Sequence, residues 1–131
     1  MSLADQIHDH QARCLAHRIS LRMLARDEPG TPPARRVVAE VARATSAILA
    51  EAEAAGRAAL AAAGGGPNRG AETFLRVRLD RLAAAAQDAI AAAQAGTSAE
   101  LRQHLYRFDT LTSAIWTVHD VVSAPRPARS A

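Results

Sequence analysis

The sequence predicts an all-α protein that folds as an antiparallel four-helix bundle, and three observations lead to this fold class. About a quarter of the 131 residues are alanine, the best helix former, whereas aromatic residues make up only 3%. Apolar residues recur at alternating spacings of three and four in four segments, which is typical of amphipathic helices. Breaks rich in glycine, proline or capping residues separate these segments.

The predicted helices are residues 2–26, 33–63, 71–95 and 98–123, and the breaks are residues 27–33, 64–70 and 96–97. Pro29 and Gly30 end the first helix. Gly96 suits a left-handed position after the third helix, and Thr97 with Glu100 forms a capping box that begins the fourth. Because this last connection is short, helices three and four should form an antiparallel hairpin.

One seam of mostly apolar residues runs along each predicted helix and should face the core. The seam residues are Leu3, Ile7, His10, Cys14, His17, Leu21 and Leu24; Val38, Val41, Thr45, Ile48, Ala52, Ala55 and Ala59; Leu75, Leu79, Leu82, Ala86, Ala89 and Ala93; and Leu101, Leu105, Phe108, Thr112, Ile115, His119 and Val122. Four seams of similar length indicate a bundle with shallow crossing angles. We expect the Ala-lined C-terminal halves of helices two and three to be neighbours, because small residues let backbones approach closely.

The chain fits a single domain, residues 1–124, followed by a disordered tail, residues 125–131. Its only cysteine, Cys14, cannot form an intramolecular disulfide, and neither a signal peptide nor an apolar run long enough to span a bilayer is evident. These features predict a cytoplasmic protein with no membrane contact. The basic residues include no lysine, which we interpret as the coding bias of a GC-rich bacterial genome, and the net charge of +3 is weak evidence for a nucleic-acid partner.

Helix one carries a second apolar stripe on a face other than its seam. The stripe residues are Leu15, Ile19 and Met23. A lone bundle would leave this stripe exposed, so the pattern favours a homodimer with coiled-coil-like contacts. Helix four is apolar on more than one face near its end, and Trp116 is therefore predicted to join the interface. The alternative is a broad core-facing side on which Arg18 and Arg22 extend between the two stripes.

His10, Cys14 and His17 lie on one face of helix one over two turns. Imidazole and thiolate bind zinc, copper or nickel, so a metal-binding or metal-sensing bundle is the second hypothesis. His119 could complete such a site if its end of the bundle met the start of helix one. The interpretation we favour is a polar layer in the seam, where His119 bonds a backbone carbonyl or Asp120.

Residues 3–9, Leu-Ala-Asp-Gln-Ile-His-Asp, resemble the phosphoacceptor segment of one class of bacterial sensor histidine kinases. The resemblance implies that His8 would accept phosphate and that Asp9 would act as its base. The sequence departs from the pattern at Asp5, where such kinases usually carry a basic residue, and glycines 64–66 form neither a P-loop nor a nucleotide lid. The alternative interpretation is an exposed first helical turn.

Arg76, Arg78 and Arg81 cluster at the start of helix three and give a third hypothesis, a nucleic-acid-binding regulator. The helices are longer than a helix-turn-helix needs, and aromatic residues for stacking are few. Glu72 and Asp80 partly neutralise the cluster. We therefore favour a solvated helix face over a nucleic-acid partner.

The sequence carries no catalytic motif of high specificity. Glu100 and His104 have the wrong spacing for a ferritin-like di-iron site, and no serine lies in a nucleophile elbow. The leading hypothesis is therefore a non-enzymatic helical-bundle protein without a cofactor. It would act through self-association and protein–protein contacts, as a regulatory or accessory factor.

Overall fold

A computed structural model describes residues 2–24, 32–62 and 69–123 of the chain. These ranges form four α-helices and no strand: α1 (Leu3–Leu24), α2 (Arg35–Ala62), α3 (Arg69–Ala95) and α4 (Ser98–Ser123). The all-helical class is confirmed, and every helix begins within two residues of its predicted start. The described residues do not include the predicted ends of the first two helices, most of the first two breaks, or the tail. No helix in the described ranges is long and apolar enough to cross a membrane.

Side-chain caps fix where α1 and α4 begin. The Ser2 hydroxyl accepts a hydrogen bond from the Asp5 backbone N–H at 3.1 Å, and the Asp5 carboxylate accepts one from the Ser2 backbone N–H at 3.3 Å. This reciprocal pair is a capping box that satisfies two N–H groups without helical partners. At α4, the Thr97 hydroxyl accepts a hydrogen bond from the Glu100 N–H at 3.2 Å, as predicted.

Gly96 is required in the α3–α4 connection for a reason other than the predicted one. Its φ angle lies outside the left-handed region, and its N–H donates to the Ala92 carbonyl at 2.8 Å. An added Cβ would lie 2.8 Å from that carbonyl oxygen and 2.6 Å from the Glu100 carboxylate. Gly96 is therefore needed because the chain is too crowded there for a side chain.

Packing places α2 and α4 at the middle of the bundle. α2 contacts all three other helices, and α4 contacts α3, α2 and, over a shorter stretch, α1. Within the described residues, α1 and α3 make no close backbone contact. α1 is therefore held mainly by α2, and a groove is left between α1 and α4.

The predicted seams form the core. All six predicted seam residues of α3 are buried, as are all of those in α4 except Val122, which is half-buried. In α2, Val37 is fully buried in place of the predicted Val38. The expected meeting of the Ala-lined C-terminal halves of α2 and α3 is wrong, because Gly56, late in α2, contacts Leu75, early in α3.

Candidate functional site

α1 presents three faces with different chemistry. Its seam packs on α2 and buries Ile7, Cys14 and Leu21. A polar flank turns toward α4, and an apolar outer face is exposed to solvent. The sequence-predicted metal ligands lie on the first face, and three of the four predicted interface residues lie on the third.

The seam of α1 contains a hydrogen-bonded ion cluster with α2. The His10 imidazole donates its Nδ1–H to the Glu51 carboxylate, and the Arg13 guanidinium donates to the same carboxylate at 2.9 Å. Burial alone raises the pKa of Glu51, but the hydrogen bonds from Arg13 and His10 outweigh it, so that the pKa lies below its ordinary value. Both partners therefore hold Glu51 as a carboxylate.

Cys14 and His17 follow His10 along the same face but do not join it in one site. The Cys14 thiol is fully buried and points at the Ile48 carbonyl, with 3.7 Å between sulfur and oxygen. Burial, with a smaller effect of the Glu51 charge, raises the pKa of Cys14 to about 12, which keeps the thiol neutral. No group of three or more His, Cys, Asp or Glu side chains in the described ranges could hold a metal ion.

The flank of α1 is tied to α4 by ion pairs that sequence reasoning missed. The Arg18 Nε donates to the Asp109 carboxylate at 2.7 Å, and its Nη2 donates to the Ser113 hydroxyl. The Arg22 guanidinium donates to the other Asp109 oxygen at 3.0 Å. Burial raises the pKa of Asp109, but both guanidiniums outweigh that effect and lower it below its ordinary value. These bonds fix the rotation of α1 about its own axis.

The outer face of α1 is the largest row of exposed apolar side chains on one described helix. Leu15, Ile19 and Met23 are 48%, 46% and 60% exposed. Ala12, one turn before Leu15, and Ala16, between Leu15 and Ile19, are also exposed. At 100° per residue, this face is centred opposite the α1 seam, so no helix of the same bundle covers it.

Trp116, the fourth predicted interface residue, lies elsewhere. It is only 3% exposed and packs edge-on against His119, with 5.3 Å between the ring centroids. Its indole therefore contributes to the interior of the chain. The apolar positions near the end of α4 that remain exposed include Val121, at 67%.

His119 is fully buried near the end of α4. Its Nε2–H donates to the Ala52 carbonyl on α2 at 2.8 Å, which is one of the two predicted outcomes. Its Cε1 approaches Gly56 so closely that a Cβ there would be only 3.2 Å away. Within the described residues, His119 Nδ1 and Trp116 Nε1 are buried and make no hydrogen bond. Burial lowers the pKa of His119, although the Ala52 carbonyl partly opposes the effect.

Arg76 and Arg78, two of the three arginines that the sequence places in a cluster on α3, contact other side chains of the chain. The Arg76 guanidinium donates to Glu53 at 3.1 Å and lies 3.8 Å from the Asp80 carboxylate. The Arg78 guanidinium lies 5.0 Å from the centroid of the Phe74 ring. Arg76 and Arg78 therefore already have partners in the chain, whereas a phosphate-binding surface would need them to face a nucleic acid.

Comparison with protein-family models, with curated proteins and with solved structures finds no match for this chain. Its function is therefore inferred from its surfaces alone. The outer face of α1 and the adjoining groove between α1 and α4 are two features of the described residues that the packing of the bundle does not explain.

Proposed function

We propose that this chain is a non-enzymatic helical-bundle protein that acts through self-association, in a regulatory or accessory role. The observation that carries the proposal is the outer face of α1, where Leu15, Ile19 and Met23 remain about half exposed. Water-exposed rows of large apolar side chains on folded proteins commonly mark interaction sites.

A second copy of the chain is the partner that best fits this face. Two-fold pairing brings the same patch of each protomer together, so a uniformly apolar row is complementary to itself without any charge matching. Ala12 and Ala16 are small and would let the two helix backbones approach closely. The ion pairs of Arg18 and Arg22 with Asp109 would fix the rotation of α1. The row would then face solvent and not the core of its own protomer.

We further propose that the four helices run antiparallel to their chain neighbours. In support, His10 contacts Glu51 whereas Cys14, one turn later, contacts Ile48, nearly one turn earlier. Likewise Gly56, late in α2, lies against Leu75, early in α3. Only two residues, Gly96 and Thr97, connect the end of α3 to the start of α4, and so short a connection favours a sharp reversal.

The metal-binding and nucleic-acid-binding hypotheses remain proposals with less support. A metal site would need Cys14 as a thiolate, which its buried position disfavours. It would also need His10 to leave Glu51. Nucleic acid would have to compete with the carboxylate partners of Arg76.

Sedimentation equilibrium of the full chain over the micromolar range tests self-association. The decisive variant is Ile19→Glu, which places a charge in the middle of the outer face. Val121→Glu is its matched control, because Val121 is also exposed and apolar but lies on α4. Circular dichroism confirms that each variant folds.

We expect the wild type and Val121→Glu to dimerise, and Ile19→Glu to weaken the dimer at least about tenfold, because a charge in an apolar interface loses its hydration. A wild-type chain that stays monomeric throughout the range would refute the proposal. Equal weakening by the two variants would refute the assignment to α1.

A further inference from the structure

Two neighbouring side chains on α4 carry buried polar atoms that the fold leaves unpaired. Within the described residues, the Trp116 Nε1 and His119 Nδ1 atoms make no hydrogen bond. Trp116 is 3% exposed and His119 is fully buried, so the surrounding solvent does not hydrate these atoms. Buried polar atoms in folded proteins are nearly always hydrogen-bonded, because an unpaired one loses its hydration without compensation. The two atoms therefore point to a partner other than the side chains and backbone around them.

The two atoms have complementary hydrogen-bonding chemistry. The indole Nε1–H of Trp116 can only donate. The His119 ring donates its Nε2–H to the Ala52 carbonyl, so the Nδ1 of the neutral imidazole carries a lone pair and can only accept. Burial lowers the pKa of His119, which favours this neutral form. The neighbouring rings thus present one donor and one acceptor.

The rings lie close enough for one small molecule to contact both. Trp116 and His119 are three residues apart on α4, and their rings pack edge to face with 5.3 Å between the centroids. Two hydrogen bonds that share one oxygen atom span up to about 6 Å. Neither ring lines the groove between α1 and α4 or the groove of about 480 Å³ between α2 and α3. A ligand of this pair must therefore fit within the packed interior.

We propose that one water molecule binds in the core of the bundle between Trp116 and His119. Its oxygen would accept a hydrogen bond from the indole Nε1–H, and it would donate one to the His119 Nδ1. An anion would satisfy only the indole and a cation only the imidazole, whereas water is the smallest molecule that both accepts and donates. Buried waters typically make about 2–4 hydrogen bonds to polar groups that the fold leaves unpaired. The water would extend the bond between Ala52 and His119 into a chain that joins α2 to both rings.

The chain provides two NMR reporters for such a water. Trp116 is the only tryptophan, so its indole N–H gives the only indole signal. The second reporter is the His119 Cε1 proton, which is bonded to the carbon next to Nδ1 and does not exchange with solvent. The His119→Gln variant assigns this signal by its disappearance. Water NOE and ROE spectra of the full chain then detect dipolar contact between water and each proton. A water that stays bound for longer than the protein takes to tumble gives NOE and ROE of opposite sign, whereas chemical exchange gives equal signs.

Two variants separate the proposed site from general packing of the core. Trp116→Phe removes the indole donor and keeps an aromatic ring. Ile115→Val is the matched control, because Ile115 is also buried on α4 but carries no polar group on its side chain. Circular dichroism confirms that each variant folds.

We expect NOE and ROE of opposite sign between water and both reporter protons in the wild type. Trp116→Phe should weaken the water contact of His119 at least several-fold, because the water loses one of its two partners, and Ile115→Val should leave this contact unchanged. The proposal fails if the wild type lacks the water contact at one or both protons, if Trp116→Phe keeps it in full, or if Ile115→Val weakens it as much.

A direct hydrogen bond from the indole to the imidazole would also refute the proposal. Such a bond would give a scalar coupling between Trp116 Nε1 and His119 Nδ1 in the ¹⁵N-labelled chain, and we expect none. The wild-type spectra test the proposal even if Trp116→Phe does not fold. Because sedimentation tests the dimer separately, this proposal and the proposed function can each fail while the other holds.

Discussion

The imidazole of His119 on α4 donates its Nε2–H to the backbone carbonyl of Ala52 on α2 at 2.8 Å. Because both groups are fully buried, neither can exchange this bond for one to water. The carbonyl can only accept, so the bond places the proton of a neutral imidazole on Nε2 and leaves Nδ1 as an acceptor. A single polar contact thus fixes both the tautomer and the packing of α4 on α2.

Replacing His119 should lower the free energy of unfolding, and the loss should be larger when the new side chain lacks both the hydrogen-bond donor and the volume of the imidazole. His119→Ala removes the hydrogen bond and leaves a cavity, so we expect a loss of about 2–4 kcal/mol in the free energy of unfolding. His119→Gln keeps an N–H donor and most of the volume, and should cost about 1–2 kcal/mol. Urea denaturation followed by Trp116 fluorescence measures both. An Ala variant as stable as the Gln variant would contradict the role of the hydrogen bond.

His119 should also make the protein less stable as the pH falls below neutrality. Burial lowers the pKa of His119 in the folded chain below its ordinary value of 6.5; the nearby charge of Asp120 opposes this effect and that of His10 adds to it. Below pH 6.5 the unfolded chain therefore binds a proton that the folded chain does not, so stability is full above this pH and declines beneath it.

The expected slope from this one group is at most about 1.4 kcal/mol per pH unit. Urea denaturation between about pH 7 and pH 5 measures it, above the range in which Glu51 and Asp109, with their lowered pKa values, titrate. In His119→Gln, the slope of the unfolding free energy against pH should be smaller than in the wild type by the contribution of His119. A variant that keeps the full wild-type slope would show that other groups cause it.

Gly56 should couple energetically to His119. A Cβ at position 56 would lie 3.2 Å from His119 Cε1 and 3.1 Å from a Leu75 methyl group. Alanine is normally favoured over glycine within a helix by about 1 kcal/mol. Because the Ala52 hydrogen bond holds the imidazole in place, we expect Gly56→Ala to destabilise the wild type by about 1 kcal/mol despite this preference.

The same substitution in a His119→Ala background should be stabilising, because Leu75 can move into the vacated space. A double-mutant cycle measured by urea denaturation tests this change of sign. If Gly56→Ala changes the free energy of unfolding equally in both backgrounds, position 56 and His119 are not energetically coupled.

The helices could be predicted from the sequence because their signals are local. Seam spacing depends on residues three and four apart, and a cap such as Thr97 with Glu100 spans a single turn. The same local pattern identified the outer face of α1. Spacing along one helix does not show which neighbour covers a face, and for this reason Trp116 was predicted at an interface although it lies in the interior.

Contacts between distant residues could not be predicted in this way. Arg18 and Asp109 are separated by 91 positions, and nothing near either residue indicates the other. The groove that they line depends on how far α1 stands from α4, which only the packing of the whole bundle sets. Likewise, the Ala-rich halves of α2 and α3 look like natural partners in sequence, but Gly56, late in α2, lies against Leu75, early in α3.

The Arg18–Asp109 ion pair should contribute more to stability than the Arg22–Asp109 pair. The Arg18 side chain is only 11% exposed, so Asp109→Asn would leave a largely buried guanidinium without its anion, at a cost of about 1–3 kcal/mol. Arg22→Gln should cost less than about 1 kcal/mol, because the Arg22 side chain is 55% exposed. Asp88→Asn, at an exposed position on α3, is the matched control for Asp109. If Asp109→Asn lowers the thermal stability no more than Arg22→Gln does, the ranking is refuted; if it lowers it no more than Asp88→Asn does, neither pair contributes.

Cys14 should react slowly with thiol reagents until the chain opens. Its thiol is fully buried, and burial raises its pKa to about 12, so the reactive thiolate is scarce near neutral pH. We expect 5,5′-dithiobis(2-nitrobenzoic acid) to label the native chain at least about a thousandfold more slowly than the urea-unfolded chain, because labelling must wait for opening of the α1–α2 contact. Ile48→Ala, which loosens this contact, should speed native labelling. If the native chain is labelled at nearly the rate of the unfolded chain, Cys14 is accessible. If added Zn²⁺ then blocks the labelling of Cys14, the result favours a metal site over a polar layer of His10, Cys14 and His17 in the α1 seam.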